Sequence, residues 1–216
     1  MRWDVILFDL DGTITDPKEG ITKSVAYALN GFGFKIEDPD TLTHFIGPPL
    51  RESFMDCYGM DEESSACAIK MYRERYSSIG WKENVPYSGV SAFLQQLKDA
   101  GKTMLIATSK AQPYAVQIME YFGLDVYFDH ICGTSLDDLN ATKADVIQRA
   151  LQLVNLDDYN RAVMVGDRFH DVDGAHKVGI AAVGVLYGYG SLKELEQHGA
   201  DYIVEDISEL SELLLL

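Results

Sequence analysis

ILFDLDGTITD, residues 6–16, joins an apolar run to three acids. Val5, Ile6, Leu7 and Phe8 read as a short buried strand, a continuous apolar run with β-branched members. The run stops at Asp9 and Asp11, one residue apart, before Gly12, Thr13, Ile14, Thr15 and Asp16. Aspartate is depleted from strands, and two carboxylates this close repel each other unless a counter-charge offsets them. The stretch predicts a first strand whose carboxyl end presents acids to something cationic.

Outward from it, five more short apolar runs read as buried strands: Met104–Thr108, His130–Cys132, Ala162–Val165, Ala181–Leu186 and Tyr202–Val204. Helical patterns alternate with them. Val90, Phe93, Leu94 and Leu97 share a helical spacing before Gly101, and the segment 113–122 opens on Pro113 and stops at Gly123. Further helices are expected over Lys143–Val154, Val172–Val178, Ser191–His198 and Ser208–Leu215, the last with Leu213–Leu216 as its buried edge. Strands alternating with helices predict an α/β core with a mainly parallel sheet.

Residues 17–84 break this rhythm. Ile21, Val25, Ala28 and Leu29 share one helical face; Leu42, Phe45 and Ile46 make a second, and Leu50, Phe54 and Met55 a third. A longer pattern runs from Glu62 to Ile79, and Pro39, Gly47-Pro48-Pro49 and Gly59 punctuate the segment. The reading is a helical bundle over 17–84, inserted into an α/β domain made of 1–16 and 85–216.

The chain has 216 residues, 47% apolar and 24% charged, which suits a soluble globular protein with one sizeable core and a smaller unit. Its formal net charge of −16 disfavours nucleic acid and anionic membranes as partners. A small phosphorylated substrate would need cations supplied at the site. Cys57, Cys67 and Cys132 are odd in number and far apart, without metal-binding spacing, and read as reduced, partly buried thiols of a cytoplasmic protein. The first apolar run is too short for a signal peptide, and none is long enough for a membrane helix.

In an open parallel sheet, ligands bind beyond the carboxyl ends of the strands. Four such ends here carry polar groups: Asp9 and Asp11; Thr108 and Ser109 in MLIATSK; Lys143 after GTSLDDLNATK; and Asp167 and Asp171 in AVMVGDRFHD. Clustered carboxylates call for a hard cation, and Mg²⁺ takes one or two carboxylates together with phosphate oxygens. A carboxylate can attack phosphorus and form an aspartyl-phosphate. A lysine and a hydroxyl would offset and orient the incoming charge, and a second carboxylate could pass protons.

The DLDGT after the first strand, the Thr-Ser at the second, the later lysine and the GDxxxD at the fourth together resemble the haloacid dehalogenase superfamily of phosphotransferases. The resemblance implies a Rossmann-like mainly parallel core carrying an inserted α-helical cap of the first type. FIGPPLRESF and PYSGV resemble its phosphoglycolate phosphatase-like and 5′-nucleotidase-like branch. It implies Asp9 as nucleophile and metal ligand, and Asp11 as general acid and base with its carbonyl on Mg²⁺. It implies Thr108 and Ser109 at the phosphoryl group, Lys143 between Asp9 and the phosphate, and Asp167 and Asp171 at the metal. Two positions depart from the common pattern: Ser109 stands where many relatives have Asn, and Ala144 where many have Pro. Lys110 also follows a strand end, but Lys143 starts the helix where the family places its phosphate lysine. On the cap, Arg51 and Lys23 are the cations expected to meet substrate.

Within that resemblance, an acid at position 11 implies rapid turnover, hence a phosphatase or a phosphomutase, and the first expectation is a Mg²⁺-dependent phosphatase of small phosphomonoesters. Phosphoglycolate is the first substrate expected, and nucleoside monophosphates the second. A sugar phosphomutase and a phosphoacceptor signalling module remain alternatives. His170 is expected in a solvated loop, Asp173 near a helix N-terminus, and YGYGS at 187–191 as a loop with a serine cap, since it lacks dinucleotide-binding spacing.

Overall fold

In the computed structural model, which describes residues 3–136 and 141–216, Val5–Phe8 forms strand β1 inside a six-stranded parallel sheet. The other strands of that sheet are β4 (Thr103–Ala111), β5 (His130–Thr134), β6 (Ala162–Gly166), β7 (Ala181–Val185) and β8 (Tyr202–Val204). Their order is β5-β4-β1-β6-β7-β8. The sheet grows from β1 first to one side and then to the other, so the crevice beside β1 is a topological switch point, where such sheets bind ligands. Phe8 is in register with Ile106 on one neighbour and Val165 on the other. The residues just beyond, Asp9, Ala107 and Gly166, therefore share one edge.

Every residue of β1 is buried, as a parallel strand covered on both faces requires. Val5 and Leu7 join a cluster with Val146, Ile147 and Val172, from helices α6 (Lys143–Leu153) and α7 (Phe169–Val178). On the other face, Phe8 packs edge-on against Phe93 of α4 (Val90–Asp99), ring centroids 5.9 Å apart. Helices α5 (Gln112–Tyr121), α8 (Leu192–Gln197) and α9 (Ile207–Leu215) complete this unit, which comprises Met1–Thr15 and Pro86–Leu216.

The second unit is Asp16–Val85, and the chain passes between the two at the short strands β2 (Thr15–Asp16) and β3 (Val85–Pro86). It contains α1 (Lys18–Gly31), α2 (Leu50–Tyr58) and α3 (Glu62–Ser78) around a core that includes Val25, Leu29, Leu42, Phe45, Phe54 and Tyr76. The expected short helix at Leu42–Ile46 is a 3₁₀ helix, Pro39–Phe45, opened by the Asp38 side chain accepting from the Asp40 N–H.

Several expectations need correcting. β4 runs on through Thr108, Ser109 and Lys110 to Ala111, its pairing with β5 irregular after Ala107. Helix α7 begins three residues before the apolar spacing announces it, because Asp171 accepts from the Arg168 N–H and closes the first turn. His170 thus lies in a helix, half-buried, not in a solvated loop. At the C-terminus Leu210 and Leu214 are buried, whereas Leu215 and Leu216 are exposed. Of the three free thiols only Cys132 is buried; Cys57 and Cys67 are exposed. Asp137–Asn140, within the segment expected to lead to Lys143, lie outside the described residues. Among the described residues, no helix is long and apolar enough to cross a membrane.

Candidate active site

The carboxyl ends of β1, β4 and β6 bring the acids and lysines together. Asp9 follows β1 directly and its N–H donates to Val165 O of β6 at 2.9 Å, which ties it to the strand that leads to Asp167. One carboxylate oxygen from each of Asp9, Asp167 and Asp171 lies within 4.8 Å of the others, and all three residues are buried. Lys143 reaches this cluster from the first position of α6, held there by Thr142, whose side chain accepts from the Asp145 N–H while Asp145 accepts from the Thr142 N–H. Its ammonium lies 2.7 Å from Asp9, 2.6 Å from Asp171 and donates to Ala107 O at 3.0 Å.

Asp11 follows Asp9 by two residues and opens the turn bridged to Thr15. Its carboxylate pairs with Lys110 at 2.6 Å, both side chains buried. The sequence put Lys110 forward only as a rival to Lys143, because nothing in residue spacing shows which acid a strand lysine meets. The geometry separates them: Lys143 serves the Asp9–Asp171 pair and Lys110 serves Asp11. Four buried carboxylates thus face two buried ammoniums. With all of them ionised, two negative charges stay unbalanced, the charge of one divalent cation.

The titration behaviour follows from this arrangement. Burial pushes the Asp167 carboxyl well above the ordinary range, and neighbouring Asp171 and Asp9 push it the same way. Burial also raises Asp171, to about 6, although Lys143 opposes it. Burial raises Asp11 as well, with Lys110 pulling against it. For Lys143 burial disfavours the charged form, but Asp171 and Asp9 outweigh it and keep the amine protonated. His170 is driven down to about 4 by burial and by the positive charges of Arg168 and Lys143, so it is neutral in the ordinary pH range.

The residues present fit a hard divalent cation. Asp167 Oδ1 is buried, and among the described residues it has no hydrogen-bond partner. Buried carboxylate oxygens left unpaired are costly, and an oxygen-ligated cation removes that cost. Gly12 completes the fit. Its φ of +85° lies in the left-handed region, and a Cβ there would sit 2.2 Å from Asp167 Oδ2.

The remaining candidates stand as follows. Thr108 is buried, and its hydroxyl accepts from the Lys110 N–H at 3.2 Å. The Ser109 carbonyl accepts from the Thr134 hydroxyl at 3.1 Å. Lys23 and Arg51 belong to the helical unit and are engaged within it: Lys23 pairs with Glu19 and lies 3.6 Å from Glu83, and Arg51 pairs with Glu62 at 2.5 Å. Asp173 makes no contact with the carboxylate cluster among the described interactions and instead binds His198 at 2.8 Å.

Comparison with known proteins agrees with this architecture. The family model described as haloacid dehalogenase-like hydrolase matches residues 6–185. A 5′-nucleotidase of Pseudomonas aeruginosa is 41% identical, over 99% of this chain and 96% of its own length. A tyrosine-protein kinase of Mycobacterium tuberculosis is 40% identical, over 97% of this chain and 72% of its own. Among solved structures, one described as a predicted phosphatase of Clostridium acetobutylicum superposes with a TM-score of 0.96 at 46% identity, covering 100% of this chain and 99% of the other. The chain belongs to the haloacid dehalogenase-like hydrolases and is an enzyme of their phosphatase class.

Proposed function

We propose that the protein is a Mg²⁺-dependent phosphatase that hydrolyses small phosphomonoesters in the cytoplasm through a phosphoryl group carried on Asp9. The observation that carries this reading is the buried Asp9–Asp167–Asp171 cluster, with Asp167 Oδ1 unpaired and two lysines insufficient to balance the acids. Bound there, Mg²⁺ would neutralise the cluster and draw electron density from the phosphoryl oxygens.

Asp9 is the nucleophile: its carboxylate oxygen attacks phosphorus and the substrate's ester oxygen departs. Asp11 donates a proton to that oxygen, and its raised pKa favours holding one. It then takes a proton from the water that attacks the aspartyl-phosphate. Lys143 holds Asp9 in place and carries positive charge toward the phosphoryl oxygens. Thr108 and Ser109 orient those oxygens. The helical unit serves as a cap, with Lys23 and Arg51 exchanging their acidic partners for the substrate.

For the substrate, the 41% identity to a 5′-nucleotidase over nearly the whole chain supports nucleoside monophosphates. FIGPPLRESF and PYSGV suit phosphoglycolate phosphatases as well, but the solved structures described as such are 23% identical or less, which speaks for the fold alone. A Bacillus velezensis pyrophosphatase at 33% identity adds pyrophosphate to the compounds to try. The test is free-phosphate release from nucleoside monophosphates, phosphoglycolate, sugar phosphates and pyrophosphate, with Mg²⁺ and with chelator. Mg²⁺-dependent release with a nucleoside monophosphate as best substrate is expected. Release from none of them by folded, Mg²⁺-loaded protein would overturn the phosphatase reading. A second reading, phosphoryl transfer to a protein tyrosine, is favoured by the 40% identity to the mycobacterial kinase. Label that stays on a protein acceptor, with no free phosphate, would select it.

A further inference from the structure

The loop Tyr187-Gly188-Tyr189-Gly190 and the helix α8 that follows it have no part in the chemistry above, yet they are built around the acid loop of residues 166–171. The Tyr189 N–H donates to Asp167 Oδ2 at 2.7 Å, while Oδ1 of the same carboxylate has no partner among the described residues. This one backbone donor decides which oxygen is spent on the protein and which is left for a ligand. The two glycines explain how the loop comes so close. A Cβ on Gly188 would stand 2.4 Å from Asp167 Cβ, 2.6 Å from Oδ2 and 2.3 Å from the Gly12 carbonyl. A Cβ on Gly190 would stand 1.8 Å from the Asp167 carbonyl. No side chain of any size fits at either place.

The same segment grips the acid loop on its other side. Glu194 of α8 accepts from Arg168 Nε at 2.9 Å and from the Phe169 N–H at 3.0 Å through one oxygen. That carboxylate therefore ties α8 to the first turn of α7, the turn that carries Asp171. At the start of the loop the Tyr187 hydroxyl donates to Thr13 O at 3.1 Å, and its ring packs edge-on against Tyr87 at 5.1 Å. One continuous segment thus fixes the Asp11–Thr15 turn, Asp167 and the start of α7.

We infer that residues 187–194 form a positioning brace for the metal site, in which Tyr189 N–H, the space at Gly188 and Gly190, and Glu194 together aim Asp167 Oδ1 at the cation. The inference rests on the metal-dependent reading above. Its general ground is that the outer partners of metal-ligating carboxylates tune affinity, typically by about 10- to 100-fold when removed.

The test is calorimetric titration of MgCl₂ into metal-stripped full-length protein without substrate, so that it does not depend on any activity. Wild type, Gly188→Ala and Glu194→Ala are compared, with the melting temperature of each metal-free protein alongside. Gly188→Ala is expected to weaken Mg²⁺ binding by about 10- to 100-fold. Glu194→Ala, which removes the acceptor of both bonds, is expected to weaken it by a smaller factor. If Gly188→Ala does not fold, Glu194→Ala alone decides. A purely structural loop would lower the metal-free melting temperature and leave Mg²⁺ affinity at the wild-type value, and that result would overturn the brace alone. Absence of Mg²⁺ binding by the wild type would overturn the metal reading and the brace with it.

Discussion

Among single residues, the chemistry depends on which group meets each carboxylate. Asp9, Asp11, Asp167 and Asp171 were legible because two strand ends carry them in recognisable motifs, and the sheet sets those strands side by side. The partner of Asp11 was not legible, since Lys110 looks like any strand-end lysine until the fold sets it 2.6 Å away. Nor was the contact from the Tyr189 N–H, because a backbone donor leaves no mark on residue type. Two predictions belong here. Lys143→Met leaves Asp9 and Asp171 as buried acids without their shared cation, and breaking such a pair costs about 3–5 kcal/mol. Denaturant unfolding of the metal-free variant should show a loss of that size; a loss under 1 kcal/mol would contradict the assigned pairing. Gly12→Ala is strained at φ +85° and drives a methyl into Asp167. It should raise the Mg²⁺ concentration needed for half-maximal phosphate release by about tenfold or more, measured against wild type at saturating substrate.

At the scale of elements, periodicity located the strands well, and β1 and β8 match the expected bounds at both ends. It failed where polar contacts rather than apolar spacing set the limits. β4 continues past Thr108 through Ser109 and Lys110, and α7 opens on Phe169-His170-Asp171, because hydrogen bonding extends both elements into the site. Helix α6 starts at Lys143 as expected, and the structure shows why: Thr142 and Asp145 form a reciprocal cap at its first turn. Thr142→Ala should cost about 1 kcal/mol of stability, and because Lys143 is the first residue of that helix, it should also lower phosphate release. Loss of stability with unchanged release would show that the cap does not position Lys143. In the helical unit, Glu83 is held below the ordinary carboxylate range by hydrogen bonds from Arg75, against the opposing effect of burial. A depressed pKa stabilises the fold fully above the unfolded value, about 4.3 for Glu, and that stability is lost as pH falls through the folded value. The melting temperature of wild type should therefore drop more than that of Glu83→Gln between pH ~6 and pH ~3; parallel curves would contradict the pair.

At the scale of the whole molecule, the chain carries a net charge of −16 and still gathers four acids in one buried site. The α/β core, the helical interruption after β1 and the family were all legible, since they follow from alternating patterns and ordered motifs. The substrate was not, because Lys23 and Arg51, the cations proposed to read it, pair with Glu19 and Glu62 of their own unit. Mg²⁺ at one hundred times its dissociation constant should stabilise the folded chain by about 2.7 kcal/mol, read as a rise in melting temperature that chelator reverses. The central claim, that Asp9 carries the phosphoryl group, is tested most directly by acid-quenching wild type and Asp9→Asn during turnover of the best substrate and locating phosphate on their peptides. A phosphorylated peptide containing Asp9 is expected in wild type, with neither that peptide nor phosphate release in Asp9→Asn. Continued phosphate release by Asp9→Asn, freshly purified and free of deamidated protein, would contradict it.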